Sequence, residues 1–314
     1  MTSERQVAAG QAGAARFALA GAGKAAALML MATGLFATMN AVAKALGPGY
    51  SPIQLVCFRN LFALLPLGLM LWRRRAFGEL KAHNPLGHLM RSLVGLASLG
   101  GYFYSFPRLP IATVVAISFA APLFVAALSW PLLGERVGPR RVVAILVGFS
   151  GVLVILRPTA AGFDPTVVVV VAATLLYSLV MIFMRRLNRT ETPSAIVFYY
   201  LTSSVVLTAL VLPFVWVTPD LEGWLLLVAL GLVGGLGQIA MTTAFRHGNA
   251  AVVAPFDYAT ILWATAIGWL AWGEWPGGHL WLGVAIIIAS GLYITHREAQ
   301  INRQRRREAR AARG

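Results

Sequence analysis

The sequence predicts an all-α membrane protein whose ten transmembrane helices form two inverted five-helix repeats, and three observations predict it. The 314 residues are 58% hydrophobic and 12% charged, with a mean hydropathy of +0.73, a balance that cannot cover a water-facing surface. Apolar runs of span length recur along the chain with short polar breaks between them. The chain also matches itself when displaced by about 140 residues.

A hydrocarbon core roughly 30 Å thick is crossed by about 20 residues of helix. Lipid offers an open backbone no hydrogen-bond partner, so each crossing closes as a helix. Apolar windows ended by charged or Pro/Gly breaks place spans at 25–46, 51–72, 86–106, 110–133 and 140–157, then at 165–184, 194–217, 223–245, 249–272 and 279–296. Residues 1–24 read as a disordered tail without the layout of a cleaved signal peptide. Residues 25–157 and 165–296 are the two repeats. Residues 297–314 form a basic tail that either lies on anionic lipid or stays solvated.

The net charge of +15 is explained by its placement. Arg73, Arg74, Arg75, Lys81, Arg136, Arg140, Arg141, Arg185, Arg186, Arg189 and Arg246 share alternate loops, whereas the other loops keep Lys44, Arg108 and Arg157. Positive residues are retained in the cytoplasm, so both termini are expected there. Basic residues spread in this way, with no binding motif, exclude a nucleic-acid partner. Cys57 is the only cysteine, which excludes a disulfide framework.

Two stretches carry the repeat. Ala32-Thr33, Lys44 and Pro52 match Ala173-Thr174, Arg185 and Pro193 at a shift of 141. Ala112, Val114, Ala120, Leu123, Ala127, Gly134 and Glu135 match Ala251, Val253, Ala259, Leu262, Ala266, Gly273 and Glu274 at a shift of 139. Five spans per half is an odd number, so the second half enters the membrane from the opposite side. Halves related in this way can exchange conformations around one central site, which is the physical basis of alternating access.

The segments FPRLPIATVVAISFAAPLFVAALSWPLLGER at 106–136, APFDYATILWATAIGWLAWGE at 254–274 and FRNLFALLPL at 58–67 resemble the drug/metabolite transporter superfamily, specifically its EamA-type ten-helix permeases. The resemblance covers about 25 to 296. It implies inner-membrane residence and movement of amino acids, related metabolites or drug-like compounds. A secondary carrier exporting a small polar or zwitterionic metabolite is the expected function. Uptake or exchange of a cationic metabolite such as S-adenosylmethionine, and a channel-like facilitator, are the alternatives.

Charged groups inside a span are costly and mark function by default. Asp257 is the only carboxylate well inside a predicted span, and Arg59 the only cation there without a loop to reach. Each lies about 12 Å from its nearer face, and their depths differ by about 6 Å. They are expected to face one cavity, pairing when it is empty and receiving a zwitterion when filled; a permanent structural ion pair is the other reading. Asp257 is also the candidate for coupling to a proton gradient, and no other cofactor is expected. Arg91 is expected to snorkel toward the basic face. Asn40, Asn60 and Gln238 serve a ligand or bind helix to helix. Pro122 and Pro255 are expected to kink spans four and nine, with Ser118 standing where the other half has Asp257. Tyr102, Tyr177, Tyr200, Tyr258 and Trp263 supply amphipathic faces, with Tyr258 and Trp263 favoured for their nearness to Asp257. Glu135, Glu274 and Lys44, at span ends, read as interface, anchor or gate residues.

No paired acids, metal-ligand set or nucleophile with a base appears, so an enzyme is not expected. There is no phosphate-binding GxxxxGK[ST] loop for ATP. A small-molecule substrate and membrane lipid are the expected partners, and the sequence leaves monomer or homodimer open.

Overall fold

The computed structural model describes the backbone of residues 2–133, 139–157, 164–247 and 253–311. Within these, side chains are described from residue 23 to 300 except at 130, 133, 141, 254, 298 and 299. Glu135 and Arg136 lie outside the described residues.

Among the described residues the helices are α1 (Thr2–Leu46), α2 (Pro52–Arg74), α3 (Pro85–Ser105), α4 (Ile111–Ser118), α5 (Ala121–Leu133) and α6 (Pro139–Leu156) in the first half. The second half holds α7 (Pro165–Leu187), α8 (Pro193–Val211), α9 (Leu221–His247), α10 (Ala259–Trp272) and α11 (Gly278–Ala311). The backbone of residues 2–24 continues α1 as helix where the sequence expects a loose tail, and its many alanines account for this through helix propensity.

A polar residue followed by proline starts four of these helices. Ser51, Asn84, Asp164 and Thr192 each accept a backbone N–H from the first turn, and the next residue is Pro52, Pro85, Pro165 or Pro193. At the end of α10, Gly273 takes the left-handed conformation with φ +67°. Its N–H donates to the Trp269 carbonyl, and Glu274 N–H donates back to Gly268.

Among the described residues, seven segments are long and apolar enough to cross a membrane: 23–46, 52–74, 111–129, 165–187, 193–214, 221–247 and 278–297. The other three crossings are α3, α6 and a short 3-10 turn at Ala254–Tyr258 continued by α10. α6 and α10 are shorter, and α3 is diluted by Arg91, Ser92, Ser98 and its glycines. Large apolar side chains such as Leu65, Leu146, Leu210, Leu225, Leu270 and Leu282 stand exposed around the bundle, as lipid-facing residues must. Leu55, Phe103, Ile117, Leu123, Leu230 and Ile287 fill its interior.

The principal partners of each helix lie in the other half. α1 packs on α9 as α7 packs on α3, α6 packs on α11, and α2 packs on α8 and α9. α6 and α11 touch backbone to backbone: a Cβ on Gly151 would stand 2.8 Å from the Gly283 carbonyl oxygen, and one on Gly283 2.7 Å from that of Gly151.

Spans four and nine are both broken, at equivalent places. α4 ends at Ser118 and α5 begins at Ala121, while the 3-10 turn ends at Tyr258 and α10 begins at Ala259. At the repeat shift of 139, Ser118 corresponds to Asp257 and Phe119 to Tyr258. Pro122 and Pro255 lie within a turn of these breaks, where each removes a backbone donor.

Each face has its own ties. On the face away from the basic loops, Lys44 forms an ion pair with Glu274 and donates to the Leu109 carbonyl at 2.9 Å, and Glu274 accepts the Ile111 N–H at 3.3 Å. Gln54, fully buried, exchanges hydrogen bonds of 2.7 and 3.0 Å with the Val217 backbone. On the basic face, Glu191 accepts the N–H groups of His83 at 2.7 Å and Asn84 at 2.6 Å, with His88 Nε2 3.4 Å away. Burial alone would push the Glu191 carboxyl up, but the two backbone bonds and His88 outweigh it and hold the group below its ordinary range.

Candidate functional site

The cationic side of the site is built on α2, α3 and α8. Arg59 and Arg91 are 8% and 9% exposed. Arg59 donates through Nη1 to Asn60 Oδ1 at 2.8 Å and packs along Gly234 of α9, where a Cβ would stand 3.2 Å from its Nε. The Arg91 guanidinium carbon lies 3.8 Å from the centre of the Tyr200 ring, a stacked cation–π contact. Gly95 makes room for it, since a Cβ there would lie 3.0 Å from Tyr200 and 3.6 Å from Arg91 Nη1. Arg91 does not snorkel as expected, because the aromatic face holds it inside the bundle.

The acidic side is built at the break in span nine. Asp257 lies in the 3-10 turn of span nine, two residues before α10, and its side chain is exposed rather than packed in the core. It has no ion pair among the described residues. Tyr177 of α7, 43% exposed, lies within electrostatic reach of Asp257, Arg91 and Tyr200. Tyr258 adjoins Asp257, and its ring meets Phe119 edge to face with centroids 5.0 Å apart. Ser118, on the equivalent break, turns its hydroxyl back onto the Val115 carbonyl at 2.7 Å.

The remaining expected residues have other partners. Tyr102 holds α3 to α7: its hydroxyl lies 3.0 Å from Thr174 Oγ1, which itself donates to the Val170 carbonyl, so Tyr102 is the donor. Trp263 sets its indole over Gly34 of α1, where a Cβ would stand 3.7 Å from the ring. Gln238, half-buried on α9, joins neither side by a hydrogen bond. Arg59 and Asp257 do not pair here, because Arg59 is turned into the α2–α9 contact and bonded to Asn60.

Arg91 therefore joins the buried cations of the bundle, where the sequence points to a snorkelling residue, and Tyr177, one of several amphipathic rings in the sequence, lies within electrostatic reach of Arg91. Arg91 was set aside by its closeness to a helix end. Tyr177 had a legible signal: it lies three residues past Thr174, on the face of α7 that packs against α3, and corresponds to Phe36 in the repeat. Chemically, the unpaired guanidinium groups can take an anionic group and the unpaired Asp257 carboxylate a cationic one. Among the described residues no group of three or more His, Cys, Asp or Glu is placed to hold a metal ion.

The sequence profile of the EamA-like transporter family matches residues 23–157 and 164–295. A riboflavin transporter of Vibrio cholerae is 32% identical over 221 residues, 70% of this chain and 74% of that one. The pseudopaline exporter CntI of Pseudomonas aeruginosa is 31% identical over 273 residues, 85% and 92% of the two chains. An S-adenosylmethionine uptake transporter of Rickettsia bellii is 27% identical over 262 residues, 82% and 89% of the two.

Proposed function

The chain belongs to the EamA-like transporter family, and from that premise we propose that it is a secondary carrier exporting a small polar or zwitterionic metabolite of the amino-acid class across the inner membrane. It is a multi-pass membrane transporter of a small molecule and not an enzyme. The observation that carries the finer reading is that the buried guanidinium groups of Arg59 and Arg91, the second against the Tyr200 ring, meet no carboxylate among the described residues, while Asp257 at the break of span nine meets no cation. A carboxylate meets the guanidinium side, an ammonium meets Asp257, and the tyrosines cover the apolar remainder.

Breaks at equivalent positions in spans four and nine supply the moving parts. The two halves rock about the solute at these breaks. Asp257, without a fixed cation, is free to exchange a proton with either face and so couple export to the proton gradient. Both termini lie in the cytoplasm, because the basic loops share that face.

Counterflow into proteoliposomes loaded with an amino-acid panel tests this. Wild-type protein should show saturable, proton-sensitive flux, and Asp257→Asn protein inserted at the same level should lose at least tenfold of it. Full flux from Asp257→Asn would end the assignment. Uptake of a cationic metabolite such as S-adenosylmethionine is the second reading, favoured by the two tyrosines beside Asp257; a preference for that cation over neutral zwitterions in the same assay would select it. Unsaturable flux would point to a channel-like facilitator.

A further inference from the structure

Four buried nitrogen atoms on the cationic side have no acceptor: Nε of Arg59, Nδ2 of Asn60, and Nε and Nη1 of Arg91. Leaving such donors dry is costly, and more so when they are charged. Arg59 and Arg91 are near enough for each charge to bear on the other, and neither meets a carboxylate among the described residues. Both are held in place. The Tyr200 ring holds Arg91, and Asn60 accepts from Arg59 while its own amide nitrogen stays without a partner. Against these two cations the other side of the site offers one carboxylate, Asp257.

We propose that Arg59, Asn60 and Arg91 form an oxyanion subsite for two carboxylates of one solute, so that the cargo is an amino dicarboxylate rather than a neutral amino acid. This rests on the carrier reading above and narrows its substrate. Each guanidinium is a planar fork that matches one carboxylate, and the unpartnered Asn60 amide nitrogen is a further donor. The ammonium of the same solute faces Asp257. Bound cargo cancels the repulsion between the two arginines, which the empty protein bears.

The test is binding to the purified full-length protein in nanodiscs, measured by calorimetry with glutamate, glutamine, glutarate and inorganic phosphate. Glutamate should bind about tenfold more tightly than glutamine, the worth of one added charge-assisted fork. Arg91→Gln should erase that preference, and Arg91→Lys should restore only part of it. Without solute, Arg91→Gln should melt no lower than wild type, since it removes an unpaired buried cation; a merely structural arginine would lower the melt. Equal binding of glutamine and glutamate by the wild type sinks the subsite and leaves the carrier reading intact, as does phosphate binding more tightly than glutamate. Glutarate equal to glutamate supports the subsite and sinks recognition of an amine. Binding of none of the four sinks both.

Discussion

Phe119 and Tyr258 are equivalent residues of the two repeats, and their rings touch each other edge to face at 5.0 Å. Equivalent residues meet in this way only beside the axis that relates the halves. Each lies at the break of its span, directly after Ser118 or Asp257. Phe119 is buried, so Phe119→Ala should lower stability by about 3 kcal/mol. The transposed pair, Phe119→Tyr with Tyr258→Phe, should melt within about 1 kcal/mol of wild type because volume and ring contact are conserved. Thermal melts in nanodiscs check both, and a transposed pair as damaging as the alanine would remove the axis from this contact.

The Lys44–Glu274 ion pair joins α1 to the end of α10, and the left-handed Gly273 turns Glu274 toward it. Lys44→Met and Glu274→Gln should each destabilise, with a coupling energy of about 1–3 kcal/mol in a double-mutant cycle. Gly273→Ala, which forces a side chain into positive φ, should cost about 1 kcal/mol. Urea titration of the four cycle members measures the coupling; strict additivity would mean the charges act separately.

Glu191 predicts an acid limb. Its folded carboxyl titrates lower than in the unfolded chain, so the stability it adds is complete above the ordinary glutamate value of about 4.3 and fades as pH falls through the lower folded value. Glu191→Gln should therefore melt lower than wild type at neutral pH, and the two curves should converge in acid. Parallel curves down to about pH 3 would show that the carboxylate caps α3 without linkage.

The Gly151–Gly283 approach predicts crowding. Either glycine changed to alanine should force α6 and α11 apart and cost about 1–3 kcal/mol, whereas Gly68→Ala, with nothing within 4 Å of the added carbon, should be neutral or stabilising. Comparative melts of the three variants decide it.

What the sequence made legible was what depends on one helix at a time. The proline starts, the apolar lengths and the breaks near Pro122 and Pro255 follow from local chemistry, and the repeat follows from matched residues. Asp257 stood out because lipid tolerates so few carboxylates. Rotation of a side chain about its helix axis toward one neighbour was not legible. Arg91 lies six residues into α3, near enough to the basic face to suggest snorkelling, and only the Tyr200 ring and the room left by Gly95 show that it turns inward. For the same reason Arg59 and Asp257, matched in depth, do not meet: Gly234 and Asn60 hold the arginine against another wall.

Since α1, α2, α3 and α6 each find their main neighbours among α7 to α11, the opening 150 or so residues leave the ribosome before the surfaces meant to cover them have been made. During synthesis these helices must wait in lipid as loose cylinders, with Arg59 and Arg91 shielded only by water, headgroups or an insertase. Quality-control proteases should therefore read a truncated chain ending near residue 157 as damaged goods, while the two segments made as separate polypeptides in one cell should find each other and survive.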